Sequence, residues 1–384
     1  MRRRAWLSRE GWYYLGVLLF ILGGAILRNV NLLYVLAGTL IGPLLLNWRL
    51  AMQDLLGLQI RRREPLSTSA GETLTIEYAI SNLRNTFARM LVIEDWLMPL
   101  DDPNRRKVPS RGVAVEVPPG QTRVAICRWV APRRGRYRLG PMRISTRFPL
   151  GLVRAHFFLR ETLDIVVLPR IGRLAPHWSA ILAGAMAGDQ SRATMKGLTE
   201  GDYFGLRPWQ RGDSLRWIHW RTTARTGTPT VRQFEQHRRL DVALVLDPHL
   251  PAQAGDSGQA MAEAVYSLAA TAIADFCRRG QGRLAVVLAG RTLECWSGSS
   301  AEVFARDVLE QLAVAPSATE GDVEAALRAA REVAGERSCQ IVISSRAAAD
   351  ALRTSGEAGA CPEPDWWLDV SSDEVRQLFF LDVA

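Results

Sequence analysis

The hydrophobic period of this chain changes twice along its length. Gly11 to Leu27 (GWYYLGVLLFILGGAIL) and Leu32 to Trp48 (LLYVLAGTLIGPLLLNW) carry no charge and show no polar face. At about 17 residues each, they sit at the short end of what spans a bilayer as a helix. Trp12, Tyr13, Tyr14, Tyr34 and Trp48 lie toward their ends, where amphipathic rings favour the interface, and Arg28-Asn29-Val30-Asn31 is a tight polar turn between them. The pattern predicts a transmembrane helical hairpin over residues 1–50.

From residue 64 to 170 the period falls to two. Thr73 to Ile80 (TLTIEYAI) alternates polar and apolar, as a half-buried strand should. Met90–Trp96, Val113–Val117, Arg123–Val130, Met142–Thr146 and Leu163–Leu168 read as further strands. Pro118-Pro119-Gly120 and Pro132-Arg133-Arg134-Gly135 punctuate them. Short strands without a convincing helix predict a small β-sandwich. Residues 171–239 form a connector rich in Gly, Arg and Trp. Beyond it, in 240–384, apolar strands alternate with helices. The strands are Asp241–Leu246, Leu284–Leu288, Gln340–Ser344 and Trp366–Val370; the helices are Ala262–Cys277, Ala301–Leu312, Asp322–Val333 and Ala347–Arg353. That order predicts a mainly parallel sheet covered on both faces, a doubly wound α/β domain.

Composition refines the picture only modestly. The 384 residues allow two or three domains, and 48% apolar with 23% charged content excludes wholesale disorder. A net charge of +9 invites an anionic partner. Only Lys107 and Lys196 are lysines, however, and arginine is spread over every region, so no single arginine is a functional signal by itself. Five cysteines, an odd number with no C-x-x-C pair, argue against a zinc site or a disulfide framework and suit a reducing compartment.

Arginine placement predicts topology. Arg2, Arg3, Arg4 and Arg9 precede the first span, Arg49, Arg61, Arg62 and Arg63 follow the second, and the turn holds only Arg28. Both ends of the hairpin are therefore expected in the cytoplasm, with the large C-terminal part beside them, in a two-pass inner or plasma membrane protein. The rival, an export signal around Arg3-Arg4, lacks a small-residue cleavage site and is followed by a second span.

The stretch GDSLRWIHWRTTAR, residues 212–225, concentrates Trp and Arg. Asp213 stands where a helix N-cap belongs and Gly227 where a C′ residue belongs, predicting a helix over 215–226 with Trp217, Trp220, Arg221 and Ala224 on one face. Binding to nucleic acid is disfavoured by the interleaved Glu200, Asp202, Asp213 and Glu235. Catalysis is disfavoured because Ser214 and His219, five residues apart, point in different directions. The architectural reading makes the tryptophans buried packing and pairs Arg207, Arg216 and Arg225 with Asp202, Asp213 or Glu235, so that the helix locks a junction between the soluble domains.

Gly205-Leu206-Arg207, Gly212-Asp213, Arg216-x-Ile218-x-Trp220 and Ala224-Arg225 together resemble the core of the bacterial family called domain of unknown function 58. Gly135-Arg136-Tyr137-x-Leu139-Gly140-Pro141 and Pro149-Leu150-Gly151-Leu152 resemble its preceding segment, with Phe148-Pro149 in place of the usual Asp-Pro. The resemblance implies a membrane-anchored protein with a C-terminal domain similar to a von Willebrand factor A domain. It also implies partners, a MoxR-type AAA+ ATPase and a transglutaminase-like membrane protein, because members are often encoded beside these.

A von Willebrand A domain of the adhesion type holds Mg²⁺ with Asp-x-Ser-x-Ser after its first strand. Here that run is Asp247-Pro248-His249-Leu250-Pro251, in which the aspartate remains and both serines are gone. Thr319 could supply a loop hydroxyl, and Ser344-Ser345 stands at the later acidic position. The expectation is a degenerate remnant that holds no metal and needs no cofactor. The chain then reads as a non-enzymatic scaffold or adaptor that docks protein partners. The alternative is a metal-dependent binder or enzyme using Asp247, His249 and Thr319.

Overall fold

The computed structural model describes residues 3–63, 68–101, 107–180, 202–211, 213–235, 241–251, 255–280, 282–317, 319, 321–335, 338–352 and 363–380. The chain separates into two compact units, Met1–Ile171 with Leu309–Ala315, and Gly172–Val308 with Pro316–Asp382.

The first unit begins with strand β1 (Arg4–Leu7), which leads directly into helix α1 (Arg9–Arg28) and, after a turn, helix α2 (Asn31–Asp54). Ser8 starts α1 by accepting a hydrogen bond from the Gly11 amide, and Asn29 ends it in the left-handed conformation that a short polar side chain tolerates. Among the described residues three helices are long and apolar enough to cross a membrane. Only 17% of each hairpin span is buried, against 72% of the third, Ser257–Arg279, which is covered by protein. Apolar surface left uncovered over that length is what a bilayer requires of α1 and α2.

The strands follow: β2 (Leu58–Arg62), β3 (Thr68–Ser69), β4 (Thr73–Asn82), β5 (Ala88–Pro99), β6 (Val108–Val117), β7 (Thr122–Val130), β8 (Gly135–Leu139), β9 (Met142–Thr146), β10 (Val153–Leu159) and β11 (Leu163–Leu168). They form an eight-stranded sheet, β1-β10-β9-β5-β8-β11-β3 with β6 also on β5, and a three-stranded sheet, β2-β4-β7. Alternate residues of the two sheets meet in one core. Ile76, Tyr78, Cys127 and Trp129 come from the smaller sheet, and Leu91, Ile93, Ile144 and Phe157 from the larger. Ala51 and Leu55 at the end of α2 join that core, so the hairpin is continuous with the folded unit.

Two polar side chains and one close-packed glycine fix the foot of the hairpin. Ser8 Oγ donates to the carbonyls of Gly151 (2.6 Å) and Leu152 (3.0 Å). Asn47 of α2, fully buried, donates to the Phe148 carbonyl at 3.0 Å and accepts from the Val153 amide at 3.0 Å. Gly11 packs against the Leu152 carbonyl so closely that a Cβ there would overlap it. An unpaired amide in an apolar setting is costly, so these bonds tie both helices to the 148–153 loop.

The second unit contains β12 (Arg173–Leu174), β13 (Asp202–Pro208), α3 (Trp220–Thr226), β14 (Thr230–Glu235), β15 (Val242–Asp247) and α4 (Gly255–Arg279). It continues through β16 (Arg283–Ala289), β17 (Leu293–Ser299), α5 (Glu302–Val314, of which the part up to Val308 belongs to this unit), α6 (Val323–Ala334), β18 (Cys339–Ser344), α7 (Ala348–Leu352), β19 (Trp366–Asp369), α8 (Asp373–Leu378) and β20 (Phe379–Phe380). The main sheet has the order β17-β16-β15-β18-β19. β16, β15, β18 and β19 are parallel, and β17 is an antiparallel edge. Buried β15 and β18 are apolar on both faces, as parallel strands between layers must be. Ala243 and Val245 pack with Val323, Ala326, Leu327 and Ala330 of α6. Val242, Leu244 and Leu246 point the other way, where α4 lies against the sheet. β17 and the β13–β14 ribbon were not legible in the sequence pattern.

Candidate functional site

The residues picked out by sequence fall at two places in the second unit. The first is the ribbon of β13 and β14, paired antiparallel with Arg207 opposite Val231 and Pro208 opposite Thr230. Arg207 closes a two-pronged ion pair with Asp213, 2.7 Å from each guanidinium nitrogen to its carboxylate oxygen. Asp213 also accepts from the Gln210 amide at 2.9 Å, and its backbone carbonyl accepts from the Trp209 indole at 3.2 Å. The hydrogen bond from Arg207, then that from the Gln210 amide, hold the Asp213 carboxyl below its ordinary range. Asp213 therefore organises the loop. It does not cap a helix.

The single helix expected over 215–226 is not formed. Leu215–Trp217 make one 3₁₀ turn begun by Ser214, Ile218 is extended, and α3 starts only at Trp220 with His219 as its N-cap. The cause is tertiary: Ile218 bridges to Val231, and the His219 amide donates to the Thr230 carbonyl at 2.8 Å. Pairing with β14 satisfies those backbone groups better than another helical turn would. His219 Nδ1 then accepts from the Thr222 amide at 3.3 Å, replacing the usual oxygen cap. Gly227 does end the helix, at φ 70°, where only glycine is unstrained.

The dry wedge of tryptophan and arginine expected from sequence is corrected as well. Ile218 is buried beside Val231, whereas Trp220 is 68% exposed and Arg216, Ala224 and Arg225 are exposed too. The break at Ile218 removes the helical register that would have put both indoles on one buried face. Of the expected ion pairs, that between Arg207 and Asp213 is formed. Gly212 and the side chains of Asp202 and Glu235 lie outside the described residues.

The second place is the C-terminal edge of the main sheet. Asp247, the last residue of β15, is fully buried. Its carboxylate accepts from Ser344 Oγ at 2.8 Å and from Arg346 Nε at 2.9 Å, with Arg346 Nη2 at 3.5 Å from the other oxygen. The Arg346 amide bonds Ser344 Oγ at 3.1 Å, Nη2 reaches the Gly321 carbonyl at 3.4 Å, and the Arg346 carbonyl accepts from the Trp367 indole at 3.2 Å. Ser345 bonds the His249 carbonyl at 2.8 Å. One arginine thus knits β15, β18, β19 and the loop before α6.

This arrangement does not fit a divalent cation. The one carboxylate already faces a guanidinium, and His249 and Pro251, which stand at the two serine positions, offer no side-chain oxygen there. A cation placed there would also meet the Arg346 charge, at roughly 4 kcal/mol for each unit pair about 4 Å apart with an effective dielectric near 20. Thr319 is exposed and is not a partner of Asp247 among the described residues. Among those residues, no three His, Cys, Asp or Glu side chains cluster as a metal site. His249 is held below its ordinary value by burial and then by the Arg346 charge, with Asp247 opposing. Sequence reasoning missed Arg346. The signal was present as an arginine two residues after the strand that flanks β15.

Residues 205–360, which contain both places, match the family model described as "Protein of unknown function DUF58". Over this segment the chain is similar to DUF58 proteins. Uncharacterized proteins of Mycobacterium tuberculosis (Rv1480) and Mycobacterium bovis (Mb1516) are each 30% identical to it over 167 residues, covering 39% of this chain and 52% of theirs. The chain thus spans about half the length of the curated relatives it matches. Among solved structures, the CARDB domain of PF1109 from Pyrococcus furiosus aligns with 29% of this chain and 91% of its own, at 13% identity and a TM-score of 0.18. The ASH/PapD-like domain of human CEP192 aligns with 29% of this chain and 85% of its own, at 13% identity and 0.21. Overlap at that level decides nothing about fold or function. The DUF58 segment begins inside β13 and runs through β18, so the ribbon and the Asp247–Arg346 edge are both family territory.

Proposed function

We propose that this protein is a non-enzymatic, membrane-anchored scaffold. In this reading a two-pass hairpin holds a β-sandwich and a von Willebrand A-like domain on the cytoplasmic side, where they dock protein partners. The observation that carries it is the Asp247–Arg346 pair at 2.9 Å. The sheet edge where a doubly wound domain puts its ligand is knitted shut by an internal cation, leaving a preformed surface for docking. The excess of arginine at both ends of the hairpin supports the orientation. The partners proposed are a MoxR-type AAA+ ATPase and a transglutaminase-like membrane protein, on the strength of the family resemblance.

The test is reconstitution of the full chain in nanodiscs with its organism's purified MoxR-type ATPase. Saturable binding that survives chelation of divalent ions from the scaffold and is lost on Trp220→Ala supports the proposal. Failure to bind, or substrate turnover by the isolated chain, contradicts it.

A further inference from the structure

The outer face of the eight-stranded sheet, next to the hairpin, carries a basic and aromatic patch that the scaffold role does not use. Its composition follows from register, because residues directly opposite one another in antiparallel strands share a face. Arg4 is opposite His156, and Trp6 is opposite Arg154. Phe158 is opposite Arg143, Arg143 opposite Glu94, and Glu94 opposite Arg111. The neighbours that alternate with them, Ala5, Ala155, Ile144 and Ile93, belong to the core. The polar set therefore faces outward together.

Glu94 is buried at the centre of the patch. Arg143 bonds it, Arg111 lies 2.9 Å from it and Arg154 lies 3.2 Å from it. Four guanidiniums (Arg4, Arg111, Arg143, Arg154) against one carboxylate leave a local charge of 4 − 1 = +3. One carboxylate cannot saturate that many donors, and the Arg111 side chain remains 71% exposed. His156 registers the resulting field. Burial lowers its pKa first, and the charges of Arg143, Arg154 and Arg4 lower it further, against Glu94.

Position decides what anion this patch meets. β1 runs straight into α1 through Ser8, so Trp6 stands three residues before the start of a membrane-type helix, 63% exposed. Arg4 lies three strand steps behind Leu7, about 10 Å at the usual rise, which is comparable with a Debye length of about 8 Å. An exposed indole beside a cluster of guanidiniums at the foot of a span is the chemistry of the headgroup layer.

We infer that the outer face of β1, β10, β9 and β5 binds the headgroups of anionic phospholipids around the hairpin. This rests on the membrane anchoring of α1 and α2 and on nothing about partners. The occupant is a lipid phosphate. The charge is complementary, and the patch is contiguous with the hairpin, which brings lipid within reach.

The experiment uses the full chain in vesicles containing spin-labelled phosphatidylglycerol or phosphatidylcholine, with electron paramagnetic resonance reporting the lipid held at the protein surface. The wild type is expected to prefer phosphatidylglycerol about threefold at low salt and to lose the preference at roughly 0.5 M salt. Arg4→Gln with Trp6→Gln should reduce the preference without touching Glu94. Glu94→Gln with Arg143→Gln and Arg154→Gln, which removes the buried carboxylate and two of its partners together and leaves Arg4 and Arg111, should also reduce it. Held lipid without any preference, or a preference unchanged in both variants, overturns the inference while leaving the anchor intact. No held lipid at all overturns the anchor as well. Salt-sensitive binding of an RNA oligonucleotide to the same arginines, with no lipid preference, would reassign the patch and overturn the inference.

Discussion

The guanidinium of Arg346 bonds the fully buried carboxylate of Asp247 at 2.9 Å across 99 residues of sequence. Removing one partner of such a pair strands the other charge in a poorly solvated place, which typically costs about 3–5 kcal/mol. Arg346→Met and Asp247→Asn should each destabilise the protein by about that much. Asp247→Asn combined with Arg346→Met should recover most of the loss, because the charges then leave together. Denaturant titration of the four forms measures the coupling, and strictly additive effects would contradict it.

His219 caps α3 in place of the aspartate that sequence reasoning chose. His219→Ala should cost about 1 kcal/mol, felt locally as faster amide exchange over residues 220–226. Asp213→Ala should instead free Arg207 and loosen the 209–213 turn, leaving exchange in α3 near its original rate. Trp220→Ala should change stability by no more than about 0.5 kcal/mol, since an exposed ring contributes little to folding. Any large effect of Trp220 on partner binding would then be a surface effect.

Asn47 exchanges two hydrogen bonds with the 148–153 loop. Asn47→Leu keeps the volume and removes both, leaving the Val153 amide and the Phe148 carbonyl unpaired, at a cost of about 1–3 kcal/mol for each group that water cannot reach. Gly11→Val should disturb the same foot by displacing the Leu152 carbonyl. Both variants are expected to insert into membranes normally while their 148–153 loops become cleavable by added protease. Unchanged protease resistance would show that the helices are not held as described.

Acid should weaken the fold in two stages. His156 and His249 are held below the ordinary histidine value of 6.5, first by burial and then by neighbouring arginines. As pH falls through that value the unfolded chain takes up protons that the folded chain refuses, so stability declines. Glu94 is raised by burial but lowered more by Arg143, Arg154 and Arg111, so its contribution is present above 4.5 and lost as pH falls below it. Thermal unfolding from pH 7 down to about pH 3 should show both declines. His156→Gln and His249→Gln together should flatten the first and leave the second.

Regular patterns were readable from sequence because one local rule governed them. Met142–Thr146 and Leu163–Leu168 were placed to the residue, since strict alternation against one core leaves no other register. β17 was hidden because Leu293–Ser299 is a half-polar edge strand with Ser and Gly in it. β1 was hidden because Arg4 read as part of a topology signal. The helix over 215–226 failed at Ile218, where a partner 13 positions on, Val231, claims the backbone. Arg346 was invisible for the same reason on a longer scale: nothing near it in sequence says that Asp247 is its neighbour.

Arg346 occupies the Asp247 carboxylate, so this sheet edge is expected to hold no divalent cation. Calorimetric titration of Mg²⁺ and Mn²⁺ into the full chain in detergent, beside Asp247→Asn, tests it most directly. No saturable heat is expected for either protein. Saturable binding by the wild type that disappears in Asp247→Asn would contradict it.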